Sequence, residues 1–174
     1  NITLEVDLAR APVTAANFLK YVDGKFYDNG VVNRAVRPDN TTRKDVEIQV
    51  IQFQSDAARR RDMFPPIPIE RTSVTGLRHV DGALSMARST PDSATSSFSI
   101  MVGDQFELDF GGKRNADGQG FAVFGRVTAG MDVIDLGAGD NDTPPPASVV
   151  TAMHAALEVP GLSKYGFQQG NPAY

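Results

Sequence analysis

The sequence predicts an all-β-dominated fold, a barrel or a sandwich, with two short helices. Three observations point there. Short segments of alternating apolar and polar residues recur along the chain. Sixteen glycines and eleven prolines break its 174 residues into turns. The strand segments are not regularly separated by helical ones, which argues against a doubly wound α/β fold. The length fits one domain, and 41 % hydrophobic residues suffice for a real core.

The elements follow in order. Ile2, Leu4, Val6 and Leu8 alternate with Thr3, Glu5 and Asp7, a half-buried strand. Ala11-Pro12-Val13-Thr14 opens a helix that runs to about Asp23, with Phe18, Leu19 and Val22 on one face and Gly24 as its stop. Val31-Val32 begins a second strand that carries Asn33 and Arg34. Residues 37–45 are polar and turn-rich, hence a loop, after which Val46, Ile48 and Val50 alternate as a strand. Met63–Pro68 holds three prolines and reads as an extended connection. Further strands are expected at Ala83–Ala87, Phe98–Val102, Phe121–Val127 and, closing the fold, Val149–Met153. Met131–Leu136 reads as the second helix and Asp140–Pro146 as a loop. The domain is expected to span residues 1–158, with 159–174 as a C-terminal tail.

Composition excludes several classes of function. The net charge is −4, so nothing points to a nucleic-acid surface. The one basic cluster, Arg59-Arg60-Arg61, runs straight into Asp62 and reads as a solvated loop. There is no cysteine, hence no disulfide, thiolate metal site or cysteine nucleophile. No apolar run approaches a membrane span. His79 and His154 are isolated and are expected to be structural or at the surface, so no metal site or cofactor is expected. Asp109–Gly120 is rich in Asp, Asn and Gly but lacks the ligand spacing of a calcium loop, and reads as a long hairpin turn. No Gly-x-Ser-x-Gly elbow exists, and Ser85 sits in a strand context, which leaves a serine hydrolase without support. The chain opens directly in a strand pattern at Asn1 and is expected to be a mature or trimmed form.

Seven segments, in order, resemble one family. Ala11-Pro12-x-Thr14-x-x-Asn17-Phe18-Leu19 resembles the first helix of cyclophilins, the peptidyl-prolyl cis–trans isomerases. Phe26-Tyr27-Asp28 followed by Val32-Asn33-Arg34 resembles the strand bearing Phe-His-Arg, and Val50-Ile51-Gln52 the strand ending in Gln-Gly-Gly. Gly82–Arg88 resembles the family's Ser-Met-Ala segment, and Ser96–Ile100 its Ser-Gln-Phe-Phe-Ile segment. Leu108-Asp109 resembles the Leu-Asp turn, and Gly120–Val127 the last major signature, after which Gly130-Met131 opens the second helix. The loop at Val36–Asn40 resembles a bacterial, often exported, branch, which implies a periplasmic or secreted protein, with the cytoplasm as the alternative. The resemblance implies a closed eight-stranded antiparallel β-barrel capped by two α-helices, working as a monomer without metal or cofactor. Its partners would be proline-containing peptides or unfolded client proteins.

Rotation about an X–Pro bond must break amide resonance, against a barrier of about 18–20 kcal/mol. At the twisted midpoint the proline nitrogen regains its lone pair. A guanidinium that donates to that nitrogen binds the transition state better than the ground state, and so lowers the barrier. By resemblance Arg34 is that catalytic donor, and Gln52 holds it and the peptide. Val50, Ala87 and Leu108 are expected to wall the groove, with Arg88 offering its backbone to the peptide. Without the resemblance, Arg34 reads as a surface arginine in a strand-edge salt bridge, and Leu108 reads equally as plain core.

This sequence departs from the family pattern at the groove. Ser99 stands where a phenylalanine floors the proline pocket, Ser97 replaces a glutamine that binds peptide backbone, and Phe121 stands where many members carry His or Tyr. Asn33, Glu107 and Gln49 replace a His, a Trp or other rim residue, and an aromatic. Alternation puts Ser97 and Ser99 on the groove face and Phe98 and Ile100 inside. Ser97, Ser99 and Phe121 remain expected substrate contacts, but the lost ring lowers affinity, so a slow or selective isomerase is expected. The alternative is a non-catalytic proline-peptide-binding or chaperone module on the same barrel. A structural protein using the 159–174 tail ranks below both.

Overall fold

The structure is a computed structural model that describes residues 1–41 and 43–133. Six strands form one antiparallel sheet: β1 (Thr3–Val6), β2 (Val31–Val36), β3 (Val50–Gln54), β4 (Ala83–Met86), β5 (Phe98–Met101) and β6 (Ala122–Ala129). Their spatial order is β1-β6-β4-β5-β3-β2. The all-β-dominated expectation therefore holds. The closed eight-stranded barrel does not appear: among the described residues β1 and β2 are edges of an open six-stranded sheet. The expected closing strand Val149–Met153, the loop at Asp140–Pro146, His154 and the tail at 159–174 lie outside the described residues. Of the expected second helix, Met131–Val133 forms a single 3-10 turn, and residues 134–136 lie outside.

The sheet's two faces follow the period of two. Ile51, Leu84, Met86, Phe98, Ile100, Ala122 and Phe124 build one core under α1 (Pro12–Asp23). Phe18 of α1 inserts there, with its ring 5.1 Å from those of Phe98 and Phe124. Val36, Val50, Ala83, Met101, Leu108 and Val123 build a smaller cluster on the other face. The two faces thus come from alternate residues of the same strands, as at Phe98 and Ile100 against Ser99 and Met101.

Several elements differ from expectation for local reasons. Val46 and Ile48 are buried and Glu47 and Gln49 exposed, as the alternation required. The ladder nevertheless starts only at Val50, because β2 ends at Val36, which faces Val50. On α1 the second buried aromatic, besides Phe18, is Tyr21, while Val22 is exposed. The helix has Pro12 in its first turn but no side-chain cap of its own. Instead the Glu70 carboxylate accepts from the N–H groups of Val13 and Thr14, at 3.1 and 2.7 Å. Gly24 ends the helix by close approach and not by a left-handed turn: a Cβ there would lie 2.9 Å from the Phe26 ring, and the positive φ falls on Lys25. Arg59–Arg61 sit in a 3-10 turn started by Asp56, whose carboxylate accepts from Ala58 N–H. The four-residue helix α2 (Thr72–Thr75) carried no sequence signal.

Candidate active site

The sheet register lines up one polar row. Arg34 on β2 faces Gln52 on β3, Gln52 faces Ser99 on β5, and Ser99 faces Ser85 on β4. All four line a cavity of about 200 Å³ on the face away from α1. Its walls are Ile48, Val50, Ala87, Met101, Leu108 and Phe121, with Arg88 at one side. Eight of the nine expected site residues therefore meet at one place: Arg34, Gln52, Val50, Ala87, Arg88, Ser99, Leu108 and Phe121. Ser97 is absent from the lining; it precedes β5, and its carbonyl accepts from Ala87 N–H. Leu108 combines both readings, since it is buried in the smaller core and also walls the cavity.

Arg34 is exposed, and among the described residues its side chain makes no hydrogen bond or ion pair. Among those residues the strand-edge salt bridge is therefore absent, and the guanidinium donors have no protein partner. Arg88 lines the cavity, as its expected groove position requires, and its side chain is taken up within the protein. Its side chain is only 2 % exposed and forms a bidentate pair with Asp117, at 2.8 and 2.9 Å. Its Nε donates to the Gly120 carbonyl at 2.7 Å, and the guanidinium lies over the Phe121 ring, 5.1 Å from its centroid. Arg88 thus ties the end of β4 to the 109–121 loop that presents Leu108 and Phe121. The hydrogen bond from Arg88 pulls the Asp117 carboxyl down to about 2.

Beneath the row lies a buried chain that sequence reasoning missed. His79 is wholly buried; its Nδ1 is 2.7 Å from Asp109 Oδ1 and its Nε2 2.8 Å from Ser85 Oγ. Burial holds the imidazole pKa below 6.5 despite the adjacent Asp109. Burial also opposes ionisation of Asp109, but hydrogen bonds from His79 and Arg78 outweigh it and keep that carboxyl below its usual range. An ionised carboxylate only accepts, so Nδ1 carries the proton and donates to Asp109. The neutral Nε2 then accepts from the Ser85 hydroxyl, which fixes one polar residue of the groove floor. His79 is structural, as expected. Ile48, Ser85 and Met101 were also missed, although each stands two residues from an expected site residue and strand alternation could have found it. Among the described residues no group of three His, Asp or Glu side chains could hold a metal ion.

Another cavity, of about 670 Å³, lies elsewhere, between the β1 end and the 76–80 loop. Its charged residues are already matched, Arg10 to Asp7, Arg126 to Glu5 and Arg78 to Asp109. The cavity at the polar row differs in that its lining includes an arginine, Arg34, without a carboxylate partner among the described residues.

Comparison with known proteins agrees with this geometry. The family model for cyclophilin type peptidyl-prolyl cis-trans isomerase matches residues 1–155. The chain belongs to that family. It is 39 % identical over 136 residues to peptidyl-prolyl cis-trans isomerase A of Dickeya dadantii, covering 78 % of this chain and 64 % of that protein. It is 38 % identical over 135 residues to peptidyl-prolyl cis-trans isomerase cyp18 of Streptomyces antibioticus, covering 77 % of this chain and 75 % of that one. Bacterial peptidyl-prolyl cis-trans isomerases are thus among its similar relatives. In fold it is similar to a cyclophilin type isomerase of Cryptosporidium parvum, crystallised in the presence of the dipeptide Ala-Pro. That likeness has a TM-score of 0.57 and 18 % identity, and covers 76 % of this chain and 75 % of that chain.

Proposed function

We propose that this cyclophilin catalyses cis–trans isomerisation of X–Pro bonds in peptides and unfolded client proteins, with Arg34 as the catalytic donor. One observation carries the reading: an exposed, unpaired arginine faces Gln52 at the head of a polar row, beside an apolar wall. The wall of Val50, Met101, Leu108 and Phe121 would take the proline ring, and Arg34 would donate to the proline nitrogen as the bond twists. With no ring at position 99, the pocket grips proline weakly, so turnover is slow. Exchange NMR on a proline peptide tests this. Wild type should show catalysed exchange, and Arg34→Ala should lower it about 100-fold or more. No exchange by wild type at high enzyme concentration would overturn the reading. Binding without exchange would favour the non-catalytic peptide-binding module instead, which the polar floor at Ser85 and Ser99 also permits.

The finer structural readings belong to the same proposal. The domain is read as residues 1–158, and an eight-stranded closed barrel remains part of what the family resemblance implies. The protein acts as a monomer, in the periplasm or outside the cell, a location that rests on the Val36–Asn40 loop resemblance. Light scattering and cell fractionation test these two points.

A further inference from the structure

Among the described residues that line the groove cavity, only Phe121 carries an aromatic ring. It stands just before β6, where Ala122 faces Met86 of β4. Ala122 and Met86 belong to the core under α1, so alternation turns Phe121 to the groove face, with Ser85, Ala87 and Ser99. The ring is half-buried and packs against the smaller core that includes Val50, Met101 and Leu108.

The backbone of Phe121 is fixed, since its N–H donates to the Leu108 carbonyl at 3.0 Å. A fixed backbone still leaves a half-exposed side chain a choice of staggered rotamers. The guanidinium of Arg88 narrows that choice, because it lies over the ring at 5.1 Å from the centroid, within cation–π reach. Arg88 is itself oriented by Asp117, whose carboxylate accepts from Nη1 and Nη2 at 2.8 and 2.9 Å. Asp117 also accepts from the Gln119 N–H at 2.9 Å, and the Gln119 side chain accepts from Arg71 Nε at 2.6 Å. One chain of contacts thus runs from Asp117 through Arg88 to the ring in the cavity wall. Asp117 is outside the cavity lining. Bracing the loop needs only the bonds from Arg88 to Asp117 and to the Gly120 carbonyl. The contact with Phe121 is additional to that brace.

We propose that Asp117 is a positioning residue of the isomerase site: through Arg88 it holds the Phe121 ring as the surface on which the substrate proline packs, in place of the ring absent at position 99. The inference rests on the isomerase reading and deepens it, by placing control of affinity in a residue that touches no substrate. A ring already held in place does not have to be ordered when the peptide binds. The twisting bond is served by Arg34 on β2, so Asp117 acts on ground state and transition state alike, and its loss appears in KM rather than in kcat.

The test is exchange NMR on an Ala-Pro-containing peptide, which reads both affinity and the exchange rate of the bound peptide. Asp117→Asn, at a side chain 34 % exposed, should weaken binding about three- to tenfold and leave the bound-state rate within about twofold. Phe121→Leu should lose at least as much affinity, and Asp117→Asn added to it should lose nothing further. Ser99→Phe supplies a ring from β5, so in that background Asp117→Asn should cost less than about twofold; this arm holds even if Phe121→Leu folds poorly. Unchanged affinity in Asp117→Asn, or an equal loss with and without the ring at position 99, would overturn the proposal and leave the isomerase reading standing. A slower bound-state rate at unchanged affinity would also overturn it. Wild-type binding that depends on Asp117 without any exchange would overturn the isomerase reading and keep the seat.

Discussion

His79→Leu should destabilise the protein by about 2–4 kcal/mol, an estimate that follows from its contacts. The imidazole is 0 % exposed and satisfies two buried groups, Asp109 Oδ1 at 2.7 Å and Ser85 Oγ at 2.8 Å. Leucine fills similar space but offers neither bond. Asp109 would keep the Arg78 guanidinium at 3.0 Å and a backbone N–H at 3.1 Å, so it is only partly orphaned. Ser85, 3 % exposed, would lose the only side-chain hydrogen-bond partner of its hydroxyl among the described residues. Each orphaned buried group costs about 1–3 kcal/mol, and the buried methyls of leucine return part of the sum. Native domains hold about 5–15 kcal/mol in all, so the variant should remain folded but fragile. Urea unfolding should show a lower midpoint at unchanged slope, and Tm should fall by about 4–16 °C. Ser85→Ala alone should cost about 1 kcal/mol, and the double variant should cost less than the sum. A loss below about 1 kcal/mol for His79→Leu, with additive behaviour in the double variant, would refute the buried chain as a structural device.

Other outcomes are expected from the same contacts. The folded His79 pKa lies below the unfolded value of 6.5, so its contribution is complete above pH 6.5 and is lost as pH falls toward the folded value; His79→Leu should flatten that part of a stability–pH curve. Asp117 is held at about 2, so its pairing with Arg88 persists above pH 3.8 and is lost as pH falls through about 2, which acid titration of the loop signals by NMR would follow. Ser99→Phe should fill part of the 200 Å³ cavity and tighten proline-peptide binding by about 10- to 150-fold; unchanged binding by calorimetry would show that the missing ring is not what limits the site. Gly120→Ala should cost at least about 2 kcal/mol in urea unfolding, because Gly120 has φ +65° and a Cβ would lie 2.6 Å from the Asp109 carbonyl carbon.

Much of this was legible in the sequence where burial alternates. Ala83–Ala87, Phe98–Val102 and Phe121–Val127 became β4, β5 and β6 within one or two residues, since each has an apolar side facing a core. The same alternation placed a strand at Val46–Val50, of which only Val50 joins the ladder, because a ladder needs a partner strand and β2 ends at Val36. The short helix α2 could not be read, as Thr-Ser-Val-Thr has neither apolar period nor length, and Val74 is exposed. The site residues were legible by their order along the chain, but their contacts were not. His79 and Asp109 are 30 positions apart, and their meeting depends on how two loops pack against β4.

Arg88 shows why the residue's place can be read while its work cannot. Position in the Ser-Met-Ala segment predicts a groove residue, and Arg88 does line the cavity. The segment says nothing of Asp117, which lies in a glycine-rich loop 29 residues on. A long side chain at a groove edge has two choices, the ligand or a partner in the protein. Here the bidentate carboxylate, the Gly120 carbonyl and the Phe121 face take the whole guanidinium. That leaves Arg34 as the arginine of the cavity lining without a side-chain partner among the described residues, and makes Arg88 the brace of the wall. Charge count alone would have assigned both to substrate; the hydrogen bonds separate the one that holds the loop from the one that faces the cavity unpaired.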